Sequence, residues 1–275
     1  MNRRTPASTA GKAIGVVVLL SLSLFPFYWM LSTAVDTSPL SRGASLLPSG
    51  FTLEHFRYVL VDAGFLRFVR VSVVVALGTV LLSGVIALLA AVAVARFRFR
   101  LRTQVLIMVL MVQMVPLEAL VIPLFLQARN LNMLNSLLGL IIVYVGFSLA
   151  FAIWNLRGFV AAVPRELEEA AYIDGATWFR MFRSVLLPLV APGLVATSVF
   201  SFITAWNEFI FALTFMQDSA KYTVGVGLRT FFTQNTADWG SVMAASTIIT
   251  LPVVIFFVLV QRNLAQGMTA GAVKG

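Results

Sequence analysis

Few side chains in this sequence could do chemistry, and they fall in two places. The first is a set of polar groups in apolar surroundings: Gln113, Glu118 in VPLEALVIP between Pro116 and Pro123, and Asn207 and Glu208 in AWNEF. Ionisable residues in such settings mark proton or substrate pathways, and the two prolines around Glu118 predict a broken helix that lines a cavity. Polar groups there also have a plainer use, a hydrogen bond to a neighbouring helix. Two scattered carboxylates without a matching basic residue make a thin proton relay. Other chemistry is excluded by what the sequence lacks. It has no cysteine and a single histidine, His55, so it predicts no metal cluster and no thiol enzyme. It also has no G-x-S-x-G elbow, no G-x-x-x-x-G-K-[ST] phosphate loop and no pair of intramembrane aspartates.

The second place is the stretch PRELEEAAYIDGATWFRMFRSVLLPLVAP from Pro164. Pro164 suits a first helical position, and Glu166, Glu168 and Glu169 occupy the first turns, where the helix dipole favours negative charge. Leu167, Ala170, Ala171 and Asp174 follow at helical spacing. Asp174-Gly175 then predicts a stop, with glycine as the left-handed residue past the helix end. A second amphipathic stretch begins near Thr177, with Phe179, Phe182 and Leu186 on one face and Arg180 and Arg183 on the other. Helices that lie on the anionic cytoplasmic leaflet are usually basic on their polar face. Three leading glutamates oppose that use, and the alanine pair permits close approach by another backbone. The expectation is a helix-turn-helix that docks on a soluble cytoplasmic partner.

The elements that must position these groups are membrane spans. The chain has 275 residues, 60% hydrophobic and 11% charged, with a mean hydropathy of +0.94. A soluble domain carries about 25% charged residues. Six nearly charge-free runs reach the ~20 residues a helix needs to cross a bilayer, at roughly 13–35, 69–95, 104–128, 134–156, 188–213 and 240–261. The first is expected to be an uncleaved span, because its apolar core is longer than a signal peptide's and no A-x-A site follows. The joining segments are short, so one all-α transmembrane domain is expected over 1–275. Two segments exceed what topology requires: an outer loop at 36–67 with Pro39, Pro48, Gly50 and His55, and the inner segment 158–187. With a cytoplasmic N-terminus, 13 of the 20 Lys and Arg lie inside, which sets both termini in the cytoplasm. RFRFRLR, from Arg96 to Arg102, is the sharpest part of that bias and reads as a stop-transfer anchor. The net charge of +9 is spread over span ends rather than gathered on one face, so no nucleic-acid partner is expected.

At Glu169-Ala170-Ala171, three further residues and Gly175, the segment resembles the E-A-A-x-x-x-G motif of bacterial binding-protein-dependent ABC importer permeases. The wider stretch EAAYIDGATWFRMFRSVLLPLVAPGL, the AWNEF segment and the tail TAGAVKG are similar to the MalG-like branch of the sugar importers. The resemblance implies the MetI-like fold of type I ABC importers: six spans in the bacterial cell membrane, with no catalytic residue and no cofactor in the chain. ATP and magnesium would sit on a partner ATPase. The implied partners are a second homologous permease, two ATP-binding cassette subunits and an extracytoplasmic solute-binding protein, in the setting of the lipid bilayer. Glu166, Glu169, Ala170, Ala171, Asp174, Gly175 and Phe179 would then couple to the ATPase. Lys274 and Gly275 in the tail would reach toward it, unless they form a frayed terminus. The loop at roughly 217–238 would face the solute-binding protein. The competing reading is an ion-coupled carrier with Glu118 as the proton site; a channel is the third.

Overall fold

The computed structural model describes residues 6–43, 45–232 and 238–271. Helix follows apolar sequence through most of it. In chain order the helices are α1 (Pro6–Ala34), α2 (Glu54–Arg57), α3 (Leu66–Arg96), α4 (Arg102–Val112), α5 (Val121–Asn130) and α6 (Leu137–Ala162). They continue with α7 (Arg165–Ile173), α8 (Trp178–Met181), α9 (Leu187–Asn207), α10 (Ile210–Phe215), α11 (Val224–Leu228) and α12 (Trp239–Gly271). Among the described residues there is no strand, only an isolated bridge between Asp36 and Phe51.

Five runs are long and apolar enough to cross a membrane: Ile14–Ala34, Leu66–Arg96, Leu137–Ala162, Trp178–Asn207 and Trp239–Gln261. A sixth exists only as a bent pair, in which α4 and Leu117–Asn130 meet at 95°. The run expected over 104–128 is thus broken beside Glu118, where its two flanking prolines predict a break. Pro116, with ψ 124°, is extended, and a proline disfavours helical geometry in the residue before it, here Val115. The fifth run also differs from its expected 188–213. It begins at Trp178, passes through a π turn at Phe182–Leu186 and stops at Asn207. Pro188 has no N–H to give to the carbonyl four residues earlier, and the helix widens into the π turn just before it.

The chain divides into two compact units. The first comprises Met1–Leu66 and Leu228–Leu251. Its outer segment, expected to be a loop, is tied around a buried pair. The Asp36 carboxylate accepts from the backbone N–H groups of Ser38 at 3.0 Å and Ser49 at 3.2 Å and from the Ser49 hydroxyl. The Arg42 guanidinium lies 3.8 Å away, donates to Ser45 O at 2.8 Å and to the Ser32 hydroxyl at 2.7 Å, and stacks over Trp29. Burial pushes the Asp36 carboxyl up, but these hydrogen bonds and Arg42 outweigh it and hold it below the usual carboxylate range. The His55 ring sits where a side chain at residue 240 would be, against Gly240, with Nε2 3.0 Å from the Asp36 carbonyl oxygen.

The second unit comprises Arg67–Gly227 and Pro252–Gly275. In α3, Ser72, Ala76, Thr79, Ser83, Ala87, Ala91 and Ala95 recur at helical spacing and are all buried. Small residues let helix backbones approach where lipid offers no hydrophobic gain. The Ser83 hydroxyl meets that of Ser201 in α9 at 3.3 Å. Helices α6 and α9 pack through Phe151 and Phe200, whose ring centroids are 3.9 Å apart, and through Gly193, whose bare backbone faces the Phe159 ring.

Candidate functional site

The predicted helix-turn-helix is present and its parts have clear local causes. Pro164 falls one position earlier than expected: it is the residue before α7, with ψ 136°, and Arg165 is the first helical residue. Glu166 and Glu168 lie in the first turn. At the other end, the N–H of Ala176 reaches Ala171 O at 2.9 Å and the N–H of Gly175 reaches Tyr172 O at 3.0 Å. Gly175 has φ +79°. This is the paired-bond helix ending that calls for glycine. Thr177 then caps α8, its hydroxyl accepting from the N–H of Arg180 at 3.4 Å.

Two contacts seat the hairpin on the membrane-spanning part of its unit. Ala171, Ala176, Met181, Phe182, Leu186 and Val190 pack against Leu88, Ala91 and Val92 of α3 and Leu156 and Val160 of α6. Beside them Arg96 binds Glu168, with both Nε and Nη2 at 2.6 Å from the same carboxylate oxygen, while Nη2 also donates to Val163 O at 2.9 Å. Both side chains are 11% exposed. Nothing in the sequence distinguishes Glu168 from its acidic neighbours, and Arg96 carries only a topology signal there. The remaining predicted residues, Glu166, Glu169, Ala170, Asp174 and Gly175, face outward, alongside Ile173 at 86% exposure. The shared face expected for Phe179, Phe182 and Leu186 divides. Leu186 is buried and Phe182 half-buried under the stacked Trp178 ring, whereas Phe179 is 64% exposed and joins the outward surface. Lys274 and Gly275 lie outside the described residues.

The polar groups of the spans also sort by geometry. Glu118, Asn207 and Glu208 line one cavity of about 440 Å³, together with Leu117, Thr204 and Phe209. Gln113 lines a different, more aromatic one of about 300 Å³ with Phe147 and Phe151. Both carboxylate oxygens of Glu208 are engaged. Its carboxylate accepts from the hydroxyl of buried Tyr144 and from the N–H groups of Phe211 at 2.8 Å and Ala212 at 3.1 Å. It thereby ends α9, where its own backbone turns extended with ψ 132°, and starts α10. Tyr144 is a site residue the sequence did not reveal, since an aromatic in an apolar run looks like packing. Glu118, on the 3-10 turn Leu117–Leu120, is exposed and forms no ion pair among the described residues. No group of three or more His, Asp or Glu that could hold a metal occurs among the described residues.

A hairpin with an outward acidic and apolar face, seated on a bundle with a broken span, has clear relatives. The family described as "binding-protein-dependent transport system inner membrane component" matches residues 83–270, a range that contains both the hairpin and the cavity. The chain belongs to this family. The permease is 42% identical over 264 residues to the diacetylchitobiose uptake system permease protein DasC of Streptomyces coelicolor, covering 95% of this chain and 96% of that one. It is 38% identical to the trehalose/maltose transport system permease protein MalG of Thermococcus litoralis, covering 95% of each chain. It is 34% identical to the trehalose transport system permease protein SugB of Mycobacterium tuberculosis, over 94% and 95%. A crystal structure of a bacterial ABC transporter involved in the import of alginate superposes with a TM-score of 0.81 over 95% of this chain and 99% of that one, at 21% identity. The permease thus has the all-helical fold of ABC importer membrane subunits, and it is an inner-membrane protein.

Proposed function

We propose that the permease is one transmembrane subunit of an ATP-driven importer for a sugar or sugar derivative and forms half of its translocation pathway. The observation that carries the reading is near full-length similarity to permeases named for diacetylchitobiose, trehalose and maltose transport. The sequence has no phosphate-binding loop, so hydrolysis belongs to partner ATPase subunits, two in number, with ATP and magnesium bound there. A second homologous permease completes the pathway, and an extracytoplasmic solute-binding protein delivers the solute.

In this reading α7 and α8 form the transmission element. Glu166, Glu169, Ala170 and Phe179 meet a groove on the ATPase, and Asp174-Gly175 sets the angle between the two arms. The Arg96–Glu168 pair and the apolar seat below the hairpin make it move with α3, α6 and α9 rather than flex against them. Closure of the ATPase pair on ATP would then reach the spans as a rigid displacement. The ion-coupled alternative rests on Glu118, which has no basic partner with which to relay a proton. The two are separated by uptake of radiolabelled trehalose, maltose and diacetylchitobiose in cells carrying the whole importer. Deletion of the ATPase subunit is expected to abolish uptake, with the proton gradient left intact. Uptake that survives the deletion but collapses with a protonophore would overturn the proposal in favour of the carrier.

A further inference from the structure

On the strength of the saccharide-importer reading above, we infer that the cavity between the broken third span and the end of α9 is a contact site in this subunit for a neutral saccharide, bound by the Glu118 carboxylate and the Asn207 amide. At about 440 Å³ the cavity is within the ~300–1,000 Å³ of small-molecule sites. Two discontinuities create it. The break before Pro116 brings Glu118 to its wall on a tight turn rather than a continuous helix. The Glu208 carboxylate, held by Tyr144 and two backbone N–H groups, stops α9 so that Asn207 is its last residue, at the same wall.

The division of labour between the two carboxylates points to a ligand. Glu208 is held by three hydrogen bonds from the protein, one to Oε1 and two to Oε2, whereas Glu118 and the Asn207 side chain have no hydrogen-bond partner among the described residues. Glu118 and Asn207 are both exposed at this wall, so their polar atoms are open to water or to a solute in the cavity. A carboxylate accepts from two adjacent hydroxyls at once, and an amide both donates and accepts, as a hydroxyl requires. Leu117 and Phe209 supply apolar wall for the C–H faces of a sugar ring. No basic residue lines the cavity, so a phosphorylated or uronic sugar would face Glu118 without compensation. The site therefore selects for uncharged saccharides by repulsion as well as by fit.

The test uses the complete importer with its binding protein, reconstituted in proteoliposomes. The chain has no cysteine, so Thr204→Cys places one thiol of this subunit on the cavity wall, and its maleimide labelling is read by mass spectrometry of this chain. Trehalose, maltose or diacetylchitobiose, whichever the wild type carries, is expected to slow labelling during turnover. Glu118→Ala and Asn207→Ala are each expected to remove that protection and to raise the KM for uptake about tenfold. Glu118→Gln, which keeps the shape and one acceptor, is expected to retain partial protection and to lose discrimination against a sugar phosphate. Protection and KM unchanged in both alanine variants, in an importer that still shows ATP-driven saccharide uptake, would overturn the site and leave the importer reading standing. Absence of ATP-driven uptake of any of the three saccharides by the wild type would overturn both.

Discussion

Arg96 closes α3 with a side chain that serves Glu168 and Val163 at once. Its charge is nearly buried against a nearly buried partner, so removing either member strands the other. Such a loss costs about 3 kcal/mol. Arg96→Ala is accordingly expected to lower the midpoint of thermal unfolding in detergent and to open the 164–187 segment to limited proteolysis. The double variant Arg96→Ala, Glu168→Ala is expected to recover a substantial part of the loss, because no charge is then left unpaired. Equal destabilisation by the double variant would show that the pair does not act as a unit. Four arginines in seven residues read from sequence as a topology signal, since nothing local betrays a carboxylate 72 positions downstream. The same limit applies to Glu208. Its depth and type resemble those of Glu118, and only Tyr144, 64 positions away, shows that one carboxylate is structural and the other open to the cavity.

At the scale of elements, what was legible was what local physics dictates. The end of α7 follows from Asp174-Gly175, because an αL position past a helix end admits glycine and few other residues. The break near Glu118 follows from Pro116. The early start of the fifth run at Trp178 was hidden, because an amphipathic stretch followed by prolines looks like a separate arm. The π turn at Phe182–Leu186 instead joins the two. The exposure of Phe179 was hidden because the apolar seat reaches Met181, Phe182 and Leu186 and stops short of Phe179, a limit the helical period does not set. For Gly175, with φ +79°, a β-branched substitution costs about 1–2 kcal/mol in the left-handed region. Gly175→Val is expected to re-aim α8 relative to α7 and to reduce uptake per ATP hydrolysed severalfold, with the protein still inserted. Gly175→Asn, which tolerates that conformation, is expected to stay close to wild type. Parallel measurement of ATP hydrolysis and uptake in proteoliposomes checks both. Equal coupling in the valine and asparagine variants would remove the turn from the transmission element.

For the whole molecule, composition and hydropathy already required a polytopic helical membrane protein, and the acidic alanine-rich hairpin already pointed to a soluble partner. What composition could not supply is the way the hairpin and spans are tied together, by a long-range ion pair and a small-residue seam. The role proposed for the seated hairpin is to recruit an ATPase. The most direct measurement is affinity purification of the tagged permease from its own cells in mild detergent, with bound chains identified by mass spectrometry and ATP hydrolysis assayed. The wild type is compared with a variant in which residues 166–175 are scrambled around a retained Glu168. The wild type is expected to recover an ATPase and a second permease, and the variant to keep the permease and lose the ATPase with its activity. A folded, homogeneous wild-type preparation without any ATPase would contradict the account and return Glu118 to the role of a proton site.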